Sequence, residues 1–277
     1  MNESAWFEVR DPPGLAPAGR SLVLSHGRRT AKTFVLLHGL TASPAQFSAF
    51  AALLHERGAN VLVPRLPRHG HADRLTNALA QLTADELTVF GRRVLEPARA
   101  LGERIIVAGF SLGGLLAAWI AQHERVERMV AIAPFLGLGF IPQRLGPAAA
   151  RFLLRAPNRF LWWHPLERER FGGSHGYPRY ATHAIAEGYR LAGRLLEVAR
   201  SCAPATTDLV LVTNAAEMAI SNRAVRRLAA EWARHPSAHV STRRIEGLPP
   251  SHDIIEPLRR PALARRAYPA LLEVVDD

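Results

Sequence analysis

Five short apolar runs recur along this 277-residue chain, at Thr33 to Leu37, Val61 to Pro64, Ile105 to Phe110, Met129 to Ala133 and Leu209 to Thr213, and a sixth, more polar strand candidate follows at Val240 to Ile245. The first five are nearly free of polar residues, the pattern of strands covered on both faces. The sixth alternates and carries Arg243 and Arg244, which places it nearer a sheet edge. Helical patterns fill the gaps: Pro44 to Arg57, Ala84 to Leu101, Leu112 to His123, Ser221 to His235 and Pro261 to Val275. Ser43-Pro44 is a start signal and Gly58 a stop. Strand alternating with helix predicts an α/β fold, a mostly parallel central sheet with helices on both faces. With 48% hydrophobic residues, the chain can bury the core of one large domain or two small ones.

One interval breaks the rhythm. Roughly 75 residues separate Pro134 from Leu209, far more than a crossover helix needs. The expected division is therefore a core of residues 1–134 and 183–277, with an inserted cap, 135–182, over the carboxyl edge of the sheet. Ala184 to Arg200 reads as the returning helix. The insert holds Phe135, Phe140, Phe152, Phe160, Trp162 and Trp163. Those rings either line an apolar substrate pocket or form the insert's own core.

Gly109-Phe110-Ser111-Leu112-Gly113-Gly114 follows a predicted strand and opens a predicted helix. That context makes it a nucleophile elbow. The turn is tight enough that flanking Cβ atoms collide, hence glycine at 109 and 113. It lifts the Ser111 hydroxyl clear of the sheet, at the positive end of the following helix. A second G-x-S-x-G, Gly172 to Gly176, follows Glu167-Arg168-Glu169-Arg170 and precedes Tyr177-Pro178. With no strand before it and no helix after it, Ser174 reads as part of a glycine-rich loop.

A nucleophilic serine needs a base for its proton and an acid to orient that base. The elbow architecture demands the chain order Ser, acid, His. Of twelve histidines, His252 lies past the last strand and before the last helix, whereas His235 and His239 lie at the wrong end of that strand. His252 is the expected base. The acid belongs just past Leu209 to Thr213, where Glu217 stands; Glu246, at the end of the next strand, is its rival. Asp208 is at the opposite end of its strand, and Asp253 is the neighbour of the histidine itself. The oxyanion needs two backbone donors, expected at Leu112 N–H and at Leu40 N–H in the loop after the first strand. His38 begins that loop and reads as its fastening; as a base it breaks the chain order.

Taken together, these segments resemble the α/β-hydrolase superfamily, of the carboxylesterase and monoacylglycerol-lipase-like kind. His38-Gly39-Leu40-Thr41-Ala42-Ser43-Pro44 is similar to that group's oxyanion loop, Pro64-Arg65-Leu66-Pro67-Arg68-His69-Gly70 to its Pro-rich loop, and Ser111 and His252 to its elbow and terminal histidine. The resemblance spans roughly residues 33 to 255. It implies an α/β-hydrolase fold and a serine carboxylic ester hydrolase that cleaves small to medium acyl esters through an acyl-enzyme. The departure is Glu217, where the group more often has Asp. Thioester hydrolysis, acyl transfer and carbon–carbon bond hydrolysis use the same three residues. Relatives with an aspartate nucleophile are excluded by Ser111. A binding protein on a hydrolase scaffold is the reading from a different class.

The formal net charge of +11, carried by 34 Arg and Lys32, raises nucleic acid as a partner. No recognised reading element accompanies it, so none is expected. Residues 223–266 concentrate the charge, with ten Arg against four acidic residues. Either they lie on solvated faces or their field draws anionic esters toward the site. One cysteine, Cys202, excludes an internal disulfide framework and reads as a small buried hydrophobe. No metal constellation is visible, and the chemistry asks for no cofactor. No signal peptide or apolar run of membrane-spanning length is seen, so a cytoplasmic protein acting on a small-molecule ester is the expectation.

Overall fold

The apolar runs pair into one twisted sheet. A computed structural model describes residues 11–142, 145–164, 166, 175–257 and 260–276. Among these the strands are β1 (Leu22–Leu24), β2 (Thr30–Leu37), β3 (Asn60–Val63), β4 (Gly102–Phe110), β5 (Arg128–Ile132), β6 (Phe160–Trp162), β7 (Arg179–Ala181), β8 (Asp208–Asn214) and β9 (His239–Ile245). Seven form the central sheet in the order β1-β3-β2-β4-β5-β8-β9. All neighbours are parallel except β1, which runs antiparallel to β3. β1 is a strand the sequence reading missed: three residues of an edge carry too little pattern to register.

The parallel core follows from burial on both faces. Phe34 to Leu37, Val61 to Val63 and Met129 to Ile132 are sealed from solvent. Each of the larger side chains among them contributes about 1.5–3 kcal/mol relative to exposure. β9 differs, with only Ile245 buried and Ser241 to Arg244 exposed. It is the charged edge that Arg243 and Arg244 predict.

The helices are α1 (Ser48–Glu56), α2 (Ala84–Arg93), α3 (Leu95–Leu101), α4 (Leu112–His123), α5 (Gly146–Arg155), α6 (Thr182–Ser201), α7 (Asn222–Trp232) and α8 (Pro261–Asp276). Two differ from the sequence reading. The helix expected over Ala84 to Leu101 breaks at Val94, because the Pro97 ring clashes with the carbonyl four residues back, that of Arg93. The first turn of the Pro44 helix is a tighter 3₁₀ turn, Pro44–Phe47, before α1 begins. α4 is buried along almost its whole length, so its sequence carries little amphipathic period. Cys202, expected inside, is exposed: it stands just past the end of α6, beyond the last turn that packs on the core.

The register aligns the carboxyl ends of the strands in one rank. Leu37 pairs with Gly109, Phe110 with Ile132, Ile132 with Val212, and Asn214 with Ile245. The chain departs from β2 to one side and returns to β4 on the other, so the order reverses between them. In open α/β sheets, ligands bind at that switch point. The loops leaving this rank carry residues 38–43, 111, 133 onward, 215–221 and 246–256. Between β5 and α6 lie α5 and a separate antiparallel ribbon of β6 and β7. No helix among the described residues is long and apolar enough to cross a membrane.

Candidate active site

Ser111 occupies a backbone conformation with φ 55° and ψ −114°, which L-residues with side chains rarely adopt. Three hydrogen bonds hold it there. Its N–H donates to Ile132 O at 3.0 Å, and its carbonyl accepts from Leu115 N–H and Phe135 N–H, each at 2.9 Å. The flanking glycines are sterically required. A Cβ on Gly109 would run into the Gly113 carbonyl, and one on Gly113 into that of Leu37. The strand–turn–helix therefore projects the Ser111 hydroxyl beyond the sheet.

The loop after β9 brings His252 to that hydroxyl. His252 Nε2 lies 2.8 Å from Ser111 Oγ, and its Nδ1 lies 2.8 Å from Glu217 Oε2. The carboxylate is 1% exposed. Its second oxygen accepts the amides of Ala219 at 2.7 Å and Ile220 at 3.4 Å. Burial pushes the Glu217 carboxyl up, but the His252 contact and the two amides outweigh it and leave it below the usual carboxylate value. In the turn that carries it, Glu217 N–H donates to Asn214 O at 3.2 Å. Glu246 is on the surface, 69% exposed and paired with Arg244 at 3.0 Å. Asp253 faces away from the ring and accepts from the amides of Ile255 and Glu256 and from Gln46 Nε2.

The loop after β2 is held by two buried neutral histidines. His38 accepts from Leu66 N–H at 3.1 Å and donates to Gly39 O at 3.0 Å. His69 accepts from Thr41 N–H at 3.3 Å and donates to Pro67 O at 2.7 Å. Burial drives both pKa values down, that of His69 to about 4. Gly39 N–H donates to Gln46 Oε1 and Ala42 N–H to Gly39 O. Within 39–42, Leu40 N–H is thus the amide left without a protein acceptor among the described residues. Leu112 opens α4, and amides in a helix's first turn lack intrahelical acceptors.

Two positioning side chains escaped the sequence reading. Gln46 bridges the loop after β2 to Asp253, at 2.8 and 3.0 Å. Asn214 Nδ2 donates to Pro249 O and Ser251 O, fastening the loop that carries His252. Both are buried polar side chains at element ends, whose only sequence signal is an amide in an apolar setting.

A cavity of about 280 Å³ opens at Ser111. Phe110, Phe135, Leu138, Ile185, Ile220 and Trp163 make its apolar wall. The aromatic residues of the interval do not act as one group. Phe135 and Trp163 line the cavity, while Phe140 and Phe152 are 76% and 71% exposed and serve neither as wall nor as core. Ser174 lies outside the described residues. In the basic segment, Arg227 and Arg234 pair with Glu231, and Arg243 pairs with Glu273. Those guanidiniums are largely solvated, while Arg260 lines the cavity.

This architecture has known counterparts. A family model described as the alpha/beta hydrolase family matches residues 34–267. Esterase YjfP of Escherichia coli (strain K12) is 30% identical over 115 residues, covering 38% of this chain and 45% of that protein. The match thus spans just under half the length of that curated relative. Among solved structures, a metagenome-derived lipolytic enzyme from the LipS and LipT pair superposes with TM-score 0.69 at 18% identity, over 95% of this chain and 100% of the other. The monoacylglycerol lipase of Paleococcus ferrophilus gives 0.67 at 18%, over 92% and 97%. A soluble variant of monoglyceride lipase from Saccharomyces cerevisiae gives 0.68 at 12%, over 93% and 91%. At such identities the likeness is one of fold.

Proposed function

The chain belongs to the alpha/beta hydrolase family, and on that footing we propose that it is a serine carboxylic ester hydrolase acting on small to medium acyl esters through an acyl-enzyme. The observation that carries this reading is the relay of two 2.8 Å contacts from Ser111 through His252 to Glu217.

In this mechanism His252 Nε2 takes the Ser111 proton as Oγ attacks the ester carbonyl carbon. The carbonyl oxygen becomes an oxyanion, received by Leu40 N–H and Leu112 N–H. Glu217 holds the imidazole in the tautomer with its proton on Nδ1 and stabilises the imidazolium. The imidazolium returns its proton to the departing alkoxide, the carbon–oxygen bond breaks, and the acyl group stays on Oγ. A water then repeats the sequence, releasing the acid and restoring Ser111.

The cavity supports the proposed substrate class. At about 280 Å³ it falls just under the range of roughly 300–1,000 Å³ usual for ligand pockets, which suits a small or medium acyl chain against the apolar wall. In this reading residues 135–182 act as a cap, with Phe135 and Trp163 on its inner side. Ser111→Ala is the test: it should abolish turnover of p-nitrophenyl butyrate while circular dichroism and the melting temperature stay near those of the parent. Retained turnover in that variant sinks the assignment.

A further inference from the structure

Thr41 sits next to the proposed oxyanion donor Leu40 in a conformation that does not suit it. Its φ is 64°, in the left-handed region where a β-branched residue is a strained outlier. Three segments hold it there. Thr41 N–H donates to His69 Nε2 at 3.3 Å, its carbonyl accepts from Tyr177 N–H at 2.7 Å, and its Oγ1 accepts the Trp163 indole N–H at 2.8 Å. All three polar groups of one residue are therefore committed.

Two of the three holders, Trp163 and Tyr177, come from the interval between β5 and α6, and each is anchored in turn. Trp163 backbone N–H donates to Pro178 O at 3.1 Å, and its ring packs against Tyr180 with centroids 4.3 Å apart. The Tyr177 hydroxyl accepts from His71 N–H at 3.0 Å, and Arg74 donates to Gly176 O at 2.8 Å. On the other flank, the carbonyl of the Gly39–Leu40 peptide accepts from His38 Nδ1 and Ala42 N–H. The peptide that presents Leu40 N–H is thus clamped on one side by the loop itself and on the other through Thr41.

We infer that Thr41 is a positioning residue for the oxyanion loop, and that the interval carrying Trp163 and Tyr177 acts on turnover through it as well as shaping the pocket. The inference rests on the ester-hydrolase reading. Thr41→Val keeps the β-branch and deletes the acceptor; Trp163→Phe keeps an aromatic ring and deletes the donor; Thr41→Ser keeps the hydroxyl. A misplaced oxyanion donor should lower kcat about tenfold in both deletions. The loss should be equal for p-nitrophenyl acetate, too short to reach the apolar wall, and for the octanoate, with KM within about twofold. Thr41→Ser should stay within about twofold of the parent, and the double variant should fall no further than either single one.

A loss confined to the octanoate, or appearing in KM, overturns the inference, because it would mark Trp163 as a pocket residue only. Parental kcat on acetate in both deletions overturns it too. If Thr41→Val does not fold, Trp163→Phe decides by the same criteria. Failure of the underlying reading is distinguishable, since Ser111→Ala would then keep its activity.

Discussion

Two Ser–His–Glu constellations lie at and beside the same cavity, and only one has the arrangement that the proposed chemistry asks for. In the first, His252 reaches Ser111 through Nε2 and Glu217 through Nδ1. In the second the ring is reversed: His175 reaches Ser43 through Nδ1 at 3.2 Å and contacts Glu256 closely through Nε2. Ser43 is fully buried, and its hydroxyl donates to Ala18 O at 3.0 Å. Its proton already has a backbone acceptor, and no substrate can approach. Ser111 instead stands on a strained turn at the cavity, beside the helix amides of α4. Residue types in hydrogen-bonded sequence do not make a nucleophile; access, and donors placed for the developing charge, do.

The sharpest test of that contrast is the serine pair. Ser111→Ala should cost about a millionfold in kcat on p-nitrophenyl butyrate, the scale seen when a triad nucleophile is removed, whereas Ser43→Ala should stay within tenfold. Next come the carboxylates. Glu217→Ala should lower kcat on the order of 10⁴-fold, measured beside Glu246→Ala, which should match the parent; equal losses would erase the distinction between the buried orienter and the surface acid. Glu256→Gln should act on stability instead. Disturbing a buried hydrogen-bonded pair costs about 1–3 kcal/mol, read as a lower urea midpoint, with kcat per folded molecule on p-nitrophenyl acetate nearly unchanged.

A smaller effect concerns the buried histidines behind the oxyanion loop. His69 is held down to about 4 by burial, while an unfolded chain protonates its histidines near 6.5. Between those values the unfolded state binds more protons, so stability should fall as pH drops from 6.5 to 4, by up to about 3 kcal/mol for this residue. Urea unfolding at pH 7 and pH 4.5 should show the loss, and His69→Gln should shrink the difference between the two. An unchanged difference would mean that His69 is not the neutral fastening its geometry describes.

The legible parts of this chain are those that local physics controls. A run such as Val61 to Val63, buried on both faces, is apolar without interruption and reads as a strand. Ser111 is legible because it stands in a G-x-S-x-G between a strand pattern and a helix pattern; the turn's own atoms demand the glycine at 109, while the glycine at 113 is demanded by the neighbouring strand end at Leu37. β1 is not, since three residues on an edge lack a pattern, and neither is the exposure of Cys202, which depends on where α6 stops packing. The aromatic residues of the interval divide between cavity, core margin (Phe160) and solvent according to tertiary neighbours, which spacing along the chain does not encode.

What the order of residues alone carried was the alternation that builds a parallel sheet and the strand–turn–helix that raises Ser111, because residue type and spacing within each segment carry those patterns, even though the contacts that complete them, Ser111 N–H to Ile132 O and Gly113 against Leu37, are long-range. What needed the folded chain was convergence. Glu217, Glu246 and Asp253 are chemically near-equivalent carboxylates. Only the parallel register of β8 and β9, with Asn214 opposite Ile245 and tied to the loop beyond, sets Glu217 against His252 and leaves Glu246 in solvent. The clamp on Thr41 is of the same kind, since its holders come from residues 69, 163 and 177. Hydrogen bonds across such separations are decided by packing, after local preferences have been met.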